Sequence, residues 1–142
     1  MGLFGPLEVS ASALTAERLR LDVIANNLAN ANTTRTPGGG PYRRQVVVFG
    51  AREEAGAGWP LAERPGAGVR VVGIRPDTTP FRRIYNPGHP DADAEGYVQM
   101  PNVDPVVEMV DLMAAARAYE ANVTVINETK GMAQRALELL RG

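Results

Sequence analysis

From position 109 to the end of the chain, apolar residues recur in alternating steps of three and four. They are Met109, Leu112, Ala116, Tyr119, Val123, Ile126, Ala133, Leu137 and Leu140, with Lys130 as the one polar member. A spacing that averages 3.5 residues is the a/d seam of a coiled coil, and over this length it predicts a helix of roughly 47 Å at 1.5 Å per residue. At the other terminus Leu7, Leu14, Leu21 and Leu28 fall at strict sevens, with Ala11 and Ala25 in the other seam positions and Arg18 interrupting them. The pattern predicts an α+β chain whose long N- and C-terminal helices pair as an antiparallel coiled coil. The C-terminal helix also carries a second apolar stripe opposite the seam: Val107, Val110, Ala114, Ala118, Ala121 and Val125. A helix that is apolar on two faces must be buried on two faces. The N-terminal helix serves one of them, and the other calls for a partner, expected to be another subunit.

The middle has a different period. Thr36-Pro37-Gly38-Gly39-Gly40-Pro41 ends any helix. Four runs rich in Val, Ile, Phe and Tyr follow, at Tyr42–Phe49, Val69–Ile74, Phe81–Tyr85 and Gly96–Met100, each bounded by Gly and Pro, and these predict strands. The organisation expected is a helix over 1–33, a β-rich middle over 34–102 with a flexible loop near 50–66, and a helix over 103–142. The first helix is expected to start near Pro6 and to run to about Asn32. Its end, Ala25-Asn26-Asn27-Leu28-Ala29-Asn30-Ala31-Asn32, is rich in a residue whose amide competes for backbone groups. Such an end frays alone or has its amides satisfied by neighbours. The second helix has a clear start, with Asp104 as N-cap, Pro105 at the first helical position and Glu108 at the positive end of the dipole.

The rest of the composition narrows the function more than the fold. Two long helices in 142 residues leave about seventy for a compact core, a shape that buries little surface as a monomer. Oligomerisation is the expectation. Net charge is −1, which excludes general attraction to nucleic acid or an anionic membrane. The charges are nonetheless segregated: residues 34–85 hold nine Arg against four acids, and 86–142 hold nine acids against four basic residues. Complementarity between neighbouring segments or subunits would use that split. The chain has no cysteine, so disulfides and thiolate metal sites are excluded. Met1-Gly2-Leu3-Phe4-Gly5-Pro6 lacks the basic and continuously apolar regions of a cleavable signal peptide, and Pro6 breaks a myristoylation motif. No apolar run approaches the roughly 20 residues that span a bilayer, so no membrane insertion is expected.

Candidate chemistry is sparse. Asp91-Ala92-Asp93-Ala94-Glu95-Gly96 copies the opening of a calcium loop, but Asn102 stands where the closing Glu belongs. His89, the single histidine, lies in the turn-forming Asn86-Pro87-Gly88-His89-Pro90 and has no second His or Cys for zinc. Gly66, Gly68 and Gly73 make no dinucleotide fingerprint, and Gly38–Gly40 lack the Lys-Ser/Thr of a phosphate loop. No catalytic residue, cofactor or metal site is expected.

Several segments resemble the flagellar rod and hook family of axial proteins. Ala25–Thr33 is similar to the asparagine-rich signature of that whole group. Tyr85–Val98, Pro101-Asn102-Val103, Glu108-Met109-Val110 and Arg117-Ala118-Tyr119-Glu120-Ala121-Asn122 resemble the proximal rod subunits in particular, and the short middle sets the chain apart from the larger distal rod and hook proteins. The resemblance implies a structural subunit of the basal body, exported unfolded by the type III apparatus and assembled as a helical oligomer. It would lie in the rod that crosses the periplasm, with further copies of itself and other rod proteins as partners. Paired terminal helices would surround the export channel, with the β-rich part outside. The assembly interface implied comprises Leu7, Leu14, Leu21, Asn26, Asn27, Leu28, Asn30, Met109, Leu112, Tyr119, Val123, Ile126, Leu137 and Leu140, with Leu21, Leu28, Met109, Tyr119, Val123 and Ile126 at its centre. Asn amides buried among helices would fix register. The rival readings are a stand-alone coiled-coil adaptor and a calcium-dependent binding module using Asp91, Asp93 and Glu95.

Overall fold

Two helices and two small antiparallel sheets make up the computed structural model, which describes residues 5–52 and 67–141. Helix α1 spans Gly5–Ala29 and α2 spans Pro105–Arg141. Strands β1 (Gln45–Ala51) and β2 (Val69–Pro76) form one hairpin, and β3 (Arg82–Tyr85) and β4 (Tyr97–Met100) a second. The α+β class and the four strand positions follow the expectation. Most of the loop expected near 50–66 lies outside the described residues.

The start of α2 is built as its sequence reads. Asp104 Oδ1 accepts a bond from Val106 N at 2.9 Å, its carbonyl accepts from Glu108 N at 3.0 Å, and Pro105 opens the helix. The end of α1 comes earlier than Asn32. Asn30 donates its side-chain amide to Asn26 O and Asn26 Oδ1, both at 2.9 Å, while Ala31 N turns to Leu28 O. Local amide bonds therefore replace the next helical turn, which is the competition that disfavours Asn in helices.

Helix α1 lies against α2 and against both strands of the first hairpin. Gly68 enters β2 with a φ of +108°, and a Cβ there would stand 2.2 Å from Ser12 Oγ. That hydroxyl accepts from Val69 N at 3.0 Å and donates to Val9 O at 2.6 Å, so the hairpin is pinned to the α1 backbone. Opposite Val48/Phe49 a bulge leaves Val72 of β2 as the extra residue, so the hairpin stays paired while β2 bends.

The interior is small and partly polar. Its buried apolar members are Ala16, Val23, Ile24, Ala31, Val98, Val103 and Ala115. Among the largest fully buried side chains are Glu108 and Asn27. By contrast, ten of the sixteen large apolar side chains that are exposed among the described residues lie on α2.

The seam expected on α2 needs a correction. The covered line runs Glu108, Leu112, Ala115, Tyr119, Asn122, Ile126, Thr129, Ala133. Leu112, Tyr119, Ile126 and Ala133 are shared with the expected seam, Met109, Ala116, Val123 and Lys130 each give way to the residue before them, and Leu137 and Leu140 lie exposed. Met109 and Lys130 are exposed, while Ala116 and Val123 are half-buried beside the line. Lys130 thus interrupts nothing; Thr129 takes the buried place and returns its hydroxyl to Val125 O at 2.8 Å. On α1 the buried positions are Ser10, Ala16, Val23, Ile24 and Asn27, and Leu7, Leu14, Leu21 and Leu28 are only half-buried. A helix touched by both α2 and a hairpin spreads its covered surface wider than a two-position seam.

Candidate assembly interface

Three elements converge on Asn27, near the end of α1. Its Nδ2 donates to Gln45 O at 2.8 Å and to Glu108 Oε2 at 3.1 Å. Its Oδ1 accepts from Gln45 N and from the Tyr42 hydroxyl, each at 2.9 Å. All four hydrogen-bonding sites of the amide are therefore used, which lets it be buried without the cost of an unpaired polar group. Asn27 ties α1, the entry to β1 and the first turn of α2 together.

Glu108 is the second node. Its side chain is 0% exposed, and its Oε1 accepts from Arg44 Nε at 2.5 Å. Arg44 spreads its remaining donors to Asp77 Oδ2 at 3.3 Å and Asp111 Oδ2 at 3.2 Å. Burial pulls the Arg44 pKa down, but the bond to Glu108 and the charges of Glu108 and Asp77 outweigh it, and the net shift is upward. Burial, and then the Glu108 charge, push the Tyr42 hydroxyl above its ordinary value, so it stays a donor. Asn102 extends the network: its Oδ1 accepts from Arg44 N, and its Nδ2 donates to Asp77 O and Thr79 O. Glu108 was read from the sequence as a partner for the helix dipole; burial makes it the centre of the fold as well.

The acidic loop is held in the same way. Asp91 accepts from Thr34 Oγ1 at 2.8 Å and pairs with Arg35. Asp93 Oδ1 accepts from Glu95 N and Tyr97 N, while its Oδ2 and Glu95 meet Arg83. The Thr34 and Arg35 bonds lower the Asp91 pKa, and the Tyr97 backbone bond leads the lowering at Asp93. Gly96 closes the turn at a φ of +82°, where a Cβ would stand 2.9 Å from the Tyr85 ring. His89 accepts from Asp91 N at 3.1 Å and serves the turn. These carboxylates anchor a loop to arginines, and no group of three or more metal-ligating side chains occurs among the described residues.

The expected interface residues divide into three sets. Asn27 is fully engaged within the chain. Leu7, Leu14, Leu21, Leu28, Asn30, Leu112, Tyr119, Val123 and Ile126 are half-buried, each with surface left over. Asn26, Met109, Leu137 and Leu140 are exposed, Leu140 by 84%. Beside the junction lies an open groove of about 320 Å³, lined by Val23, Ile24, Val47 and Phe49 together with Arg20, Arg44 and Asp111. No helix among the described residues is long and apolar enough to cross a membrane. The Arg44–Glu108 pair escaped the sequence reading because its members stand 64 residues apart. A usable signal was Glu108 standing four residues before Leu112, in phase with Tyr119 and Ile126.

The sequence is similar to those of known axial proteins. The family model for the flagella basal body rod protein matches residues 7–35, and the C-terminal model of the flagellar basal body rod FlgEFG proteins matches 94–139. The flagellar basal-body rod protein FlgC of Borreliella burgdorferi is 50% identical over 152 aligned positions that cover 100% of both chains. FlgC of Bacillus subtilis is 48% identical over 98% of this chain and 99% of its own. FlgC of Escherichia coli is 45% identical over 98% of each. Full-length identity at this level, together with two matched terminal segments that contain the junction residues Asn27 and Glu108, shows that the chain belongs to the FlgC family of flagellar basal-body rod proteins: a structural subunit of the rod and not an enzyme.

Proposed function

We propose that this subunit builds the proximal part of the rod, as one piece of a hollow shaft that transmits torque and encloses the export channel. The observation that carries this reading is the outer face of α2. One face of the helix is covered by the chain's own α1, yet Val106, Val107, Met109, Val110 and Met113 remain exposed together. Burying side chains of this size contributes roughly 1.5–3 kcal/mol each, against about 0–1 kcal/mol for a surface ion pair. A shaft that must not shear under load gains more from interdigitated helices than from surface charge.

In the assembled rod, α1 and α2 pair as an antiparallel coiled coil that faces the channel, and the two hairpins lie outside. The interface comprises Leu7, Leu14, Leu21, Leu28, Met109, Leu112, Tyr119, Val123, Ile126, Leu137 and Leu140, with Asn26 and Asn30, which bond each other, at its edge. Asn27 acts from within, by fixing the angle at which α1 leaves the hairpin. Export proceeds through the type III apparatus in an unfolded state, across the periplasm, and the small interior suits a chain that must unfold and refold. The partners are other rod proteins and further copies of this chain. Complementation of a rod-deficient strain tests the reading: the chain should co-purify with basal bodies and restore swimming. A chain that stays in the soluble fraction would refute it.

A further inference from the structure

The groove beside the junction has an apolar floor of Ile24, Val47 and Phe49, with opposite charges at its two ends. Arg20 and Asn27 both line it from α1, about two turns or 10 Å of helix apart. Asn27 marks the end where Arg44 holds Asp111. Asp111 commits only Oδ2 to that bond, and its side chain is 37% exposed. At the other end the Arg20 side chain makes no hydrogen bond among the described residues. Its Nη1 stands 3.6 Å from Glu17 Oε2, a buried oxygen that also lacks a hydrogen-bond partner.

Farther along α2, one face carries the matching order of groups. Glu128, Met132 and Arg135 follow at steps of four and three, all exposed, within an arc of about 60° and a rise of about 10 Å. Neither charge enters an ion pair among the described residues. Of the exposed acids on α2, Glu128 alone has large exposed apolar neighbours one turn away on both sides, Val125 and Met132. Groove and stripe cannot meet within one chain, because the helix from Asp111 to Glu128, about 25 Å, lies between them.

We propose that the Glu128–Met132–Arg135 stripe of one copy seats in the groove of a second copy. This rests on the rod reading and names the two surfaces through which copies join. Glu128 meets Arg20, Met132 covers the apolar floor, and Arg135 meets the open side of Asp111. The charges stand about 10 Å apart on both surfaces, and the helical spacing turns all three stripe residues to one side. The incoming carboxylate gives Arg20 the charge-assisted hydrogen bonds it lacks. Reversed seating would set Glu128 against Asp111 and Arg135 against Arg20, so like charges exclude it. Groove and stripe are different surfaces, so the contact is heterologous and each copy keeps one of each for a further neighbour.

The chain has no cysteine, so engineered thiols report the contact without background. Val46 lines the groove and is exposed, so it takes one of them and Met132 the other. Intact basal bodies carrying the double variant Val46→Cys/Met132→Cys should yield dimers and higher multimers of this chain on oxidation. Neither single variant should do so. Added to the thiol pair, Arg20→Gln and Glu128→Gln should each lower the yield several-fold, and the two together should lower it no further, because they remove one interaction. Monomers alone from the thiol pair, dimers from either single variant, or losses that add would overturn the inference. Where the thiol pair does not enter basal bodies, a photo-reactive group at position 132 reads the same contact. Adducts to residues 20–27 or 44–49 of a second copy support it, and adducts to another rod protein or another segment overturn it. The two levels separate cleanly, because absence of the native chain from basal bodies would refute the rod reading itself.

Discussion

Around Glu108, α2 meets the rest of the chain through charges and amides whose bonds all close within the chain. Past Thr129, the same helix carries Met132, Leu137, Leu139 and Leu140, each more than half exposed among the described residues. The difference separates two tasks. A polar junction fixes geometry, because Asn27, Arg44 and Glu108 accept few alternative arrangements once Asn27 and Arg44 donate to the Glu108 carboxylate. An apolar tail fixes nothing by itself and gains its energy only when a neighbour covers it. One helix therefore holds its own fold at one end and offers assembly surface at the other.

The largest effects should come from the surface left for neighbours. Leu139→Asp should abolish swimming while leaving the free subunit as stable as the native chain, read from motility and from chemical denaturation side by side. Tyr119→Asp and Val123→Asp should also abolish motility while export persists. Because both positions are half-buried, these two should lower subunit stability as well. Normal swimming by all three would erase the division between the two ends.

Next in size is the junction. Glu108→Ala leaves Arg44 and Asn27 without their buried partner, and loss of one member of such a pair costs about 3–5 kcal/mol. Leu140→Ala in the same denaturation series should stay within about 0.5 kcal/mol, as an exposed position does. Equal losses at the two sites would contradict the comparison.

A smaller effect sharpens the picture of the loop beside the junction. Asp77, Asp91 and Asp93 have pKa values below the usual carboxylate range. For Asp77 the Thr79 bonds lead; for Asp91 and Asp93 the leading bonds come from Thr34 and from Tyr97 N. A group whose folded pKa is depressed contributes stability that is fully present above its unfolded value of about 4. That stability is lost as the pH falls through the folded value. Thermal unfolding followed between pH 7 and pH 3 should show a midpoint that is flat down to about pH 5 and then declines. Asp91→Asn should reduce the decline. The smallest effect is expected at Lys130, where Lys130→Ala should leave the free subunit unchanged within about 0.5 kcal/mol.

Much of the architecture was legible from residue order. The strands stood between Gly and Pro clusters, and Asp104-Pro105 marked the start of α2 within the chain's own grammar of caps. The heptad seam was legible only in half. Leu112, Tyr119 and Ile126 sit on the covered line, but the intervening places belong to Glu108, Ala115, Asn122 and Thr129. A reading weighted to large apolar residues drifts to Met109, Ala116 and Val123 beside them. That drift also made Lys130 look like a defect. The junction was illegible for another reason: Asn27, Arg44 and Glu108 come from three elements, and nothing local in the chain says that they meet. The asparagine cluster pointed to satisfied amides without saying which one. Asn27 proved to be buried, while Asn26 and Asn30 bond each other at the surface.

Hydrogen exchange on the free subunit and on the same chain in purified rods tests the central claim most directly. In the free chain, residues 130–140 should exchange quickly and the 105–126 stretch of α2 more slowly, because α1 and the junction cover it. In the rod, the head at 105–113 and the tail at 130–140 should both gain strong protection, with little change around Asn27 and Glu108. Equal protection of the tail in a proven monomer and in the rod would contradict the account.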